Sequence, residues 1–353
     1  NRLNFCTLFD SNYIDRGLVL YNSLSKHCPH FQLFIFAFDL KAEQLLKKLN
    51  LNNVKVVSLE EFEDDELLAV KSGRTRAEYC WTCTSSTIWY CLKKFDLQHV
   101  TYLDADMEFY SNPGVLIDEA GEASVLITEH RYSPEYNESY GSGKYCVQFM
   151  YFKNDQRGLK AIKWWREQCI LWCFNRHEDG KFGDQKYLDD WTTRFEGVHV
   201  LKHIGGGVAP WNLQQYEFKY ENGQLTMRER GDSEYVKVVF CHFHGLKLYK
   251  DGIVVLAPSY YLPVIVKEII FIPYVKRLIN VFIEFNQKDL IQIHKTTLPE
   301  YTGGKNGWKY KNYYTWKDIL HVYKKAIISG SLVKIQSAHN KLVNRINLIN
   351  INK

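Results

Sequence analysis

Short apolar runs alternate with segments of helical periodicity through the first 110 residues, and this alternation is the strongest constraint on what the chain can fold into. LNFCTLF (3–9), FQLFIFAF (31–38) and VKVVSL (54–59) have the length of buried strands and are too short for buried helices. Between them, YIDRGLVLYNSLSKH (13–27) and KAEQLLKKLN (41–50) place apolar residues at helical spacing. A longer helix is predicted over RAEYCWTCTSSTIWYCLKKF (76–95), and HVTYLDAD (99–106) then reads as a strand that ends in acids. The order βαβαβ–α–β predicts an α/β fold: a mainly parallel, Rossmann-like sheet flanked by helices, with ligands at the carboxyl ends of its strands.

Further strands are predicted at ASVLITEH (123–130), YCVQFMYF (145–152) and VKVVFCHFHG (236–245), with an amphipathic helix over LKAIKWWREQCILWCF (159–174). A length of 353 residues fits one large domain plus an extension, and charge marks the boundary. Residues 261–353 hold 15 Lys and Arg against 5 Asp and Glu, whereas residues 1–260 hold 30 against 35. The expected division is a catalytic domain over 1–257 and a basic, mainly helical extension over 258–353. Apolar runs broken by charge, such as VKEIIFIPYVKRLINVFIEF, suit either an anionic membrane surface or a solvated basic face packed on the main domain. No nucleic-acid motif accompanies the charge, so nucleic acid is not an expected partner. No run of about 18 uncharged apolar residues occurs, which argues against a transmembrane helix.

Nine cysteines, an odd number, are scattered through apolar or aromatic surroundings. Cys80 and Cys83 with Cys169 and Cys173 have a spacing that zinc sites use, but their helical, aromatic contexts favour small buried thiols. With no disulfide framework and no charged, apolar and small-residue series in NRLNFCTLFD, the expected location is the reducing cytoplasm.

Asp104-Ala105-Asp106 follows the apolar run Val100–Leu103, so a buried strand delivers two carboxylates to its open end. Hard oxygen ligands suit Mg²⁺ or Mn²⁺, ions that bridge substrate phosphates. A phosphatase-type Asp nucleophile is the competing reading, but that chemistry wants a small hydroxyl residue soon after the second acid, and Met107-Glu108 stand there. His242 and His244 in His-Phe-His-Gly, at the end of another predicted strand, offer the imidazole that would complete a metal site.

These motifs, in this order, resemble retaining glycosyltransferases of the GT-A fold, and most closely glycosyltransferase family 8, over residues 3–250. Asp10-Ser-Asn12-Tyr13 stands where that family cradles a uridine; YLDAD stands where it binds Mn²⁺ and the diphosphate of a sugar nucleotide. Gly183-Asp184-Gln185 stands where an Asp-Gln pair opens a helix, and His242-Phe-His-Gly245-Leu-Lys247 where a His binds metal and a Lys reaches phosphate. The resemblance therefore implies Asp104, Asp106 and His242 as metal ligands and Asp10, Asn12, Tyr13 and Lys247 as donor-binding residues, with Asp184 and Gln185 at the transferred sugar. It implies a metal-dependent transfer of a hexose from a UDP-sugar to a saccharide or lipid-linked saccharide, with retention, in the synthesis of bacterial surface glycans such as lipopolysaccharide or capsule. The chain departs from the family at Cys146-Val-Gln148, where Asn-x-Gly is common, and in Lys247, one residue early, which makes Lys250 a rival.

Other positions carry paired readings. Arg74 and Arg76 read first as a solvated helix start, with a diphosphate contact by Arg76 as the alternative. Glu129-His130-Arg131 either shapes an acceptor pocket or caps a surface loop. Gly205-Gly206-Gly207 before Val-Ala-Pro-Trp211 reads as a hinge beside an aromatic sugar platform, and at least one of Trp164 and Trp165 as core. Two further functions compete: an inactive relative that scaffolds a polysaccharide-assembly complex, and a nucleotidyltransferase. The latter class generally opens with a Gly-rich loop, which FDSNYIDRG lacks.

Overall fold

The computed structural model describes residues 2–248, 253–284 and 313–315. Its strands are β1 (Leu3–Phe9), β2 (Phe31–Ala37), β3 (Val54–Ser58), β4 (His99–Leu103), β5 (Met107–Phe109), β6 (Val125–Glu129), β7 (Tyr145–Lys153) and β8 (Val198–Val200). Later come β9 (Gly206–Val208), β10 (Tyr216–Glu221), β11 (Gln224–Glu229), β12 (Val236–Lys237) and β13 (Phe240–His242). A central sheet of seven strands runs in the order β3-β2-β1-β4-β7-β6-β8. Only β7 is antiparallel to its neighbours β4 and β6; the other pairs are parallel. The mixed α/β architecture with a mainly parallel sheet is the one expected.

Both faces of the sheet are buried, as continuous apolar runs require. β1 sends Phe5 and Phe9 into one core and Cys6 and Leu8 into the other; β2 does the same with Leu33 and Ile35 against Phe34 and Phe36. The first core is closed by the helix Ile14–His27, the second by the helices Arg76–Lys94 and Gln156–Leu171. Their starts are fixed locally. Thr75 and Glu78 form a capping box, and the Asp155 carboxylate accepts from the Gly158 amide. Helix Ile14–His27 has no side-chain cap; it is held by packing so close that a Cβ on Gly17 would lie 2.4 Å from the Phe9 ring.

Three differences from the expected elements have physical reasons. The single strand over 236–245 is two: β12 pairs with β11, and after a break β13 pairs with β5 and β9, because the same apolar run serves two sheets. The glycine trio is no hinge; Gly206 and Gly207 lie in buried β9, and a Cβ on Gly206 would meet Leu201 at 2.7 Å and Leu116 at 2.9 Å. The Asp184-Gln185 pair opens a 3₁₀ turn, Lys186–Asp190, rather than an extended helix.

Of the segment 258–353, a helix begins at Val264, widens into a π-turn over Lys267–Phe271 and continues as Ile272–Glu284. Pro273 lacks an amide hydrogen and its ring crowds the carbonyl one turn back, which the wider turn relieves. Ile270, Phe271, Tyr274 and Leu278 join the same core as Phe5 and Leu18, so this helix packs on the sheet domain. Most of the basic extension and Lys250 lie outside the described residues.

Candidate metal centre

The carboxyl end of β4 brings Asp104 and Asp106 to a turn, and β5 then runs back beside β13, pairing Met107 with His242. The backbone N–H of Phe243 donates to the Asp106 carbonyl at 2.9 Å, which fastens the His-bearing strand to the acidic turn. As a result His242 Nε2 lies 3.1 Å from Asp106 Oδ1 and 3.8 Å from Asp104 Oδ2. One ligand atom from each of the three residues falls within 4.8 Å of the others, and no other His/Cys/Asp/Glu group of this kind occurs among the described residues.

The electrostatics of the trio call for a cation. Burial and the neighbouring Asp106 charge push the Asp104 carboxyl up, although His242 opposes them. Burial would also raise Asp106, but the His242 imidazole beside it holds that carboxyl low. Burial opposes a charge on His242, yet the two carboxylates raise its basicity well above the usual imidazole value. In this arrangement a proton on His242 offsets one of the two carboxylate charges and leaves the other uncompensated within the trio. A divalent ion with a preference for oxygen and imidazole fits the same donor set, and Mg²⁺ or Mn²⁺ has that preference.

A ring of partners orients these side chains. Tyr102 donates its hydroxyl to Asp104 Oδ1 at 3.0 Å, and His242 Nδ1 lies 2.7 Å from Gln148 Oε1. Trp211 sets its ring edge-on to His242, 5.5 Å between centroids. His244 is exposed and sets its ring 5.9 Å from that of His242, and it is His242 whose Nε2 the structure brings to the acids.

Asp184 is buried and one of its oxygens, Oδ2, has no hydrogen-bond partner. Burial pushes its carboxyl up to about 7, against a hydrogen bond with Thr84, and Asp104 adds to the rise. Trp165, fully buried, donates its Nε1 to the Asp184 carbonyl at 2.8 Å and so fixes the turn. Gln185 donates to the Ser142 carbonyl at 2.7 Å.

At the end of β1, the Asn12 amide donates to Asp10 Oδ1 at 2.7 Å, and the Tyr13 amide donates to the Asp10 carbonyl at 3.0 Å. Tyr13 is partly exposed, with the Arg16 guanidinium 4.8 Å from its ring centre. Arg76 is not simply solvated: it pairs with Asp10, and its Nη2 donates to Asp39 Oδ2 at 2.6 Å. Arg74 instead donates to the carbonyls of Cys169, Ile170 and Cys173 near the end of a helix. Lys247 lies exposed on a short strand after His244.

His130 is buried and stacks on Tyr132 at 4.6 Å, while Trp211 and Asn212 donate to its carbonyl at 2.9 Å each. Burial pushes the His130 imidazole down to about 3. Cys83, Cys169 and Cys173 are buried and Cys80 is partly so. Sequence reasoning missed Tyr102, Thr84 and Trp165 as supports of the acidic cluster and marked Gln148 only as a departure from the family pattern; their roles come from contacts between distant segments.

No family model matches the chain. Among similar proteins, the Uncharacterized protein YfnD of Bacillus subtilis (strain 168) is 32% identical over 252 residues, 70% of this chain and 79% of that protein. The Uncharacterized protein YfnF of the same organism is 28% identical over 252 residues, 69% of this chain and 82% of that protein. Similar solved structures include the galactosyltransferase LgtC with donor and acceptor sugar analogs, 13% identical with a TM-score of 0.49 over 79% of this chain and 96% of LgtC. Mouse xyloside xylosyltransferase 1 is 13% identical with a TM-score of 0.44, over 69% of this chain and 98% of its own. The chain belongs to the same family as YfnD.

Proposed function

We propose that this member of the YfnD family is a metal-dependent glycosyltransferase of the GT-A fold that moves a hexose from a UDP-sugar to a saccharide acceptor, with retention. The observation that carries the reading is the meeting of Asp104, Asp106 and His242 at the carboxyl end of a mainly parallel sheet, beside the Asp10–Arg76 pair at the end of the neighbouring strand. The sequence resemblance supports it through the order of the same motifs.

In this reading Asp104, Asp106 and His242 hold Mn²⁺ or Mg²⁺, which when bound acts as a Lewis acid on the diphosphate. Asp10, Asn12 and Tyr13 take the uridine, and Lys247 and Arg76 add positive charge at the phosphates. Asp184 offers its unpartnered oxygen to a sugar hydroxyl, and Gln185 stands next to it. The acceptor hydroxyl attacks the anomeric carbon on the face from which the diphosphate leaves. The anomeric C–O bond to the β-phosphate breaks, and the departing phosphate oxygen takes the acceptor's proton.

The catalytic unit in this reading is residues 1–257, and residues 258–353 form a basic extension whose first described helix packs on the core. We place the protein in the bacterial cytoplasm in surface-glycan synthesis, with the basic extension, net positive by 15 to 5, held against the anionic inner membrane face. No helix among the described residues is long and apolar enough to cross a membrane. The test is chromatographic detection of nucleoside diphosphate released from UDP-, GDP- and CDP-sugars with Mn²⁺ and a panel of saccharide acceptors. Acceptor-dependent UDP release supports the reading. Folded protein that turns over none of the donors, with any acceptor, contradicts it.

A further inference from the structure

We infer that Gln148 is a positioning residue that makes Nε2 the metal-donor atom of His242, an inference that rests on the metal centre in the function proposed above. Gln148 touches both ligand-bearing segments. Its carbonyl accepts the Asp104 amide at 3.1 Å, and its side-chain Oε1 lies 2.7 Å from His242 Nδ1. An amide oxygen can only accept, so this contact keeps a proton on Nδ1; the proton on Nε2, which faces Asp106 and Asp104, is then the one a cation displaces to gain a lone pair. A ligating imidazole commonly gives its second N–H to such a partner, which fixes ring orientation and tautomer.

The same side chain is a poor choice for stability alone. Gln148 is fully buried, and its Nε2 has no hydrogen-bond partner. A buried amide nitrogen without a partner costs free energy that an apolar side chain of the same shape avoids. Gly207 backs the amide so closely that a Cβ there would stand 3.2 Å from Nε2, and its φ of +100° is one that other residues rarely adopt. The chain therefore accommodates a costly amide on the central strand β7, and the bond to His242 is what that amide supplies.

The decisive comparison is Gln148→Met, which keeps length and bulk but removes the acceptor, beside Gln148→Glu, which keeps an acceptor. Mn²⁺ is titrated calorimetrically into each full-length protein without nucleotide, and the melting temperature is recorded without metal. Gln148→Met is expected to melt no lower than wild type and to bind Mn²⁺ about 10–100-fold more weakly, with Gln148→Glu restoring affinity. Wild-type affinity in folded Gln148→Met overturns the inference, as does equal loss in both variants with a fall in melting temperature. If the wild-type protein itself binds no Mn²⁺, the metal reading fails, an outcome that the wild-type titration alone identifies.

Discussion

Arg277, on the helix Ile272–Glu284, pairs with Glu108, which lies two residues beyond Asp106. Glu108 Oε2 accepts from Arg277 Nη2 at 2.6 Å and from the Tyr110 hydroxyl at 2.8 Å, and the carboxylate is buried. Tyr274 stacks on Phe243, the neighbour of His242. One helix therefore grips both segments that carry the acidic turn and the histidine. Arg277→Met is expected to destabilise the fold by about 2 kcal/mol in urea unfolding. That is below the roughly 3–5 kcal/mol of a fully buried broken pair, because the Arg277 side chain keeps 40% of its exposure. The double change with Glu108→Gln should recover part of the loss, since no unpaired carboxylate then remains.

Asp184 gives a pH signature with a definite sign. Its folded value is raised to about 7, above the roughly 3.9 of an unfolded aspartate. Its contribution to stability is therefore fully present below about pH 4 and is lost as pH rises through about 7. In metal-free protein, Asp184→Asn should gain in melting temperature relative to wild type as pH increases from 4 to 8, with the gap widest at pH 8. A gap that does not change with pH would mean that Asp184 ionises as an ordinary exposed carboxyl.

Much of the fold was legible because the chain buries both sheet faces, so β1 to β4 and the helices Ile14–His27, Leu40–Leu49 and Arg76–Lys94 show as apolar runs and helical periods, whereas the short helices Leu59–Phe62 and Asp65–Lys71 do not. The acids and His242 were legible as strand-end motifs. What was hidden is tertiary. VKVVFCHFHG reads as one strand because nothing local says that Val236 joins β11 while Phe240 joins β5. The β10–β11 hairpin was not among the expected elements, although Asn222-Gly223, both at positive φ, is its turn signal. Gly205–Gly207 read as flexible, whereas the missing side chains serve close packing. Gln148 carries no signal in sequence beyond its departure from the family pattern, since its partner is 94 residues away.

Arg76 separates donor binding from metal binding. It pairs with Asp10 and Asp39 and has no contact with the acidic trio among the described partners. Its side chain is 54% exposed, so Arg76→Ala should change stability by no more than about 1 kcal/mol. Affinity for UDP in the presence of Mn²⁺ is expected to fall about tenfold, as for the loss of a charge-assisted contact, while affinity for Mn²⁺ alone stays at the wild-type value. Isothermal calorimetry measures both. A parallel loss of the two affinities would contradict separate sites.

The most direct test of the central claim is a thermal-shift screen of UDP-, GDP- and CDP-sugars, each with and without Mn²⁺, on wild type and Asp106→Ala. A ligand that binds only the folded state stabilises it by about 2.7 kcal/mol at a hundred times its dissociation constant, so occupancy is readable without knowing the acceptor. The account requires a shift with a UDP-sugar that depends on Mn²⁺ and disappears in Asp106→Ala. No shift with any nucleotide sugar, or one unaffected by Mn²⁺ and by Asp106→Ala, contradicts it.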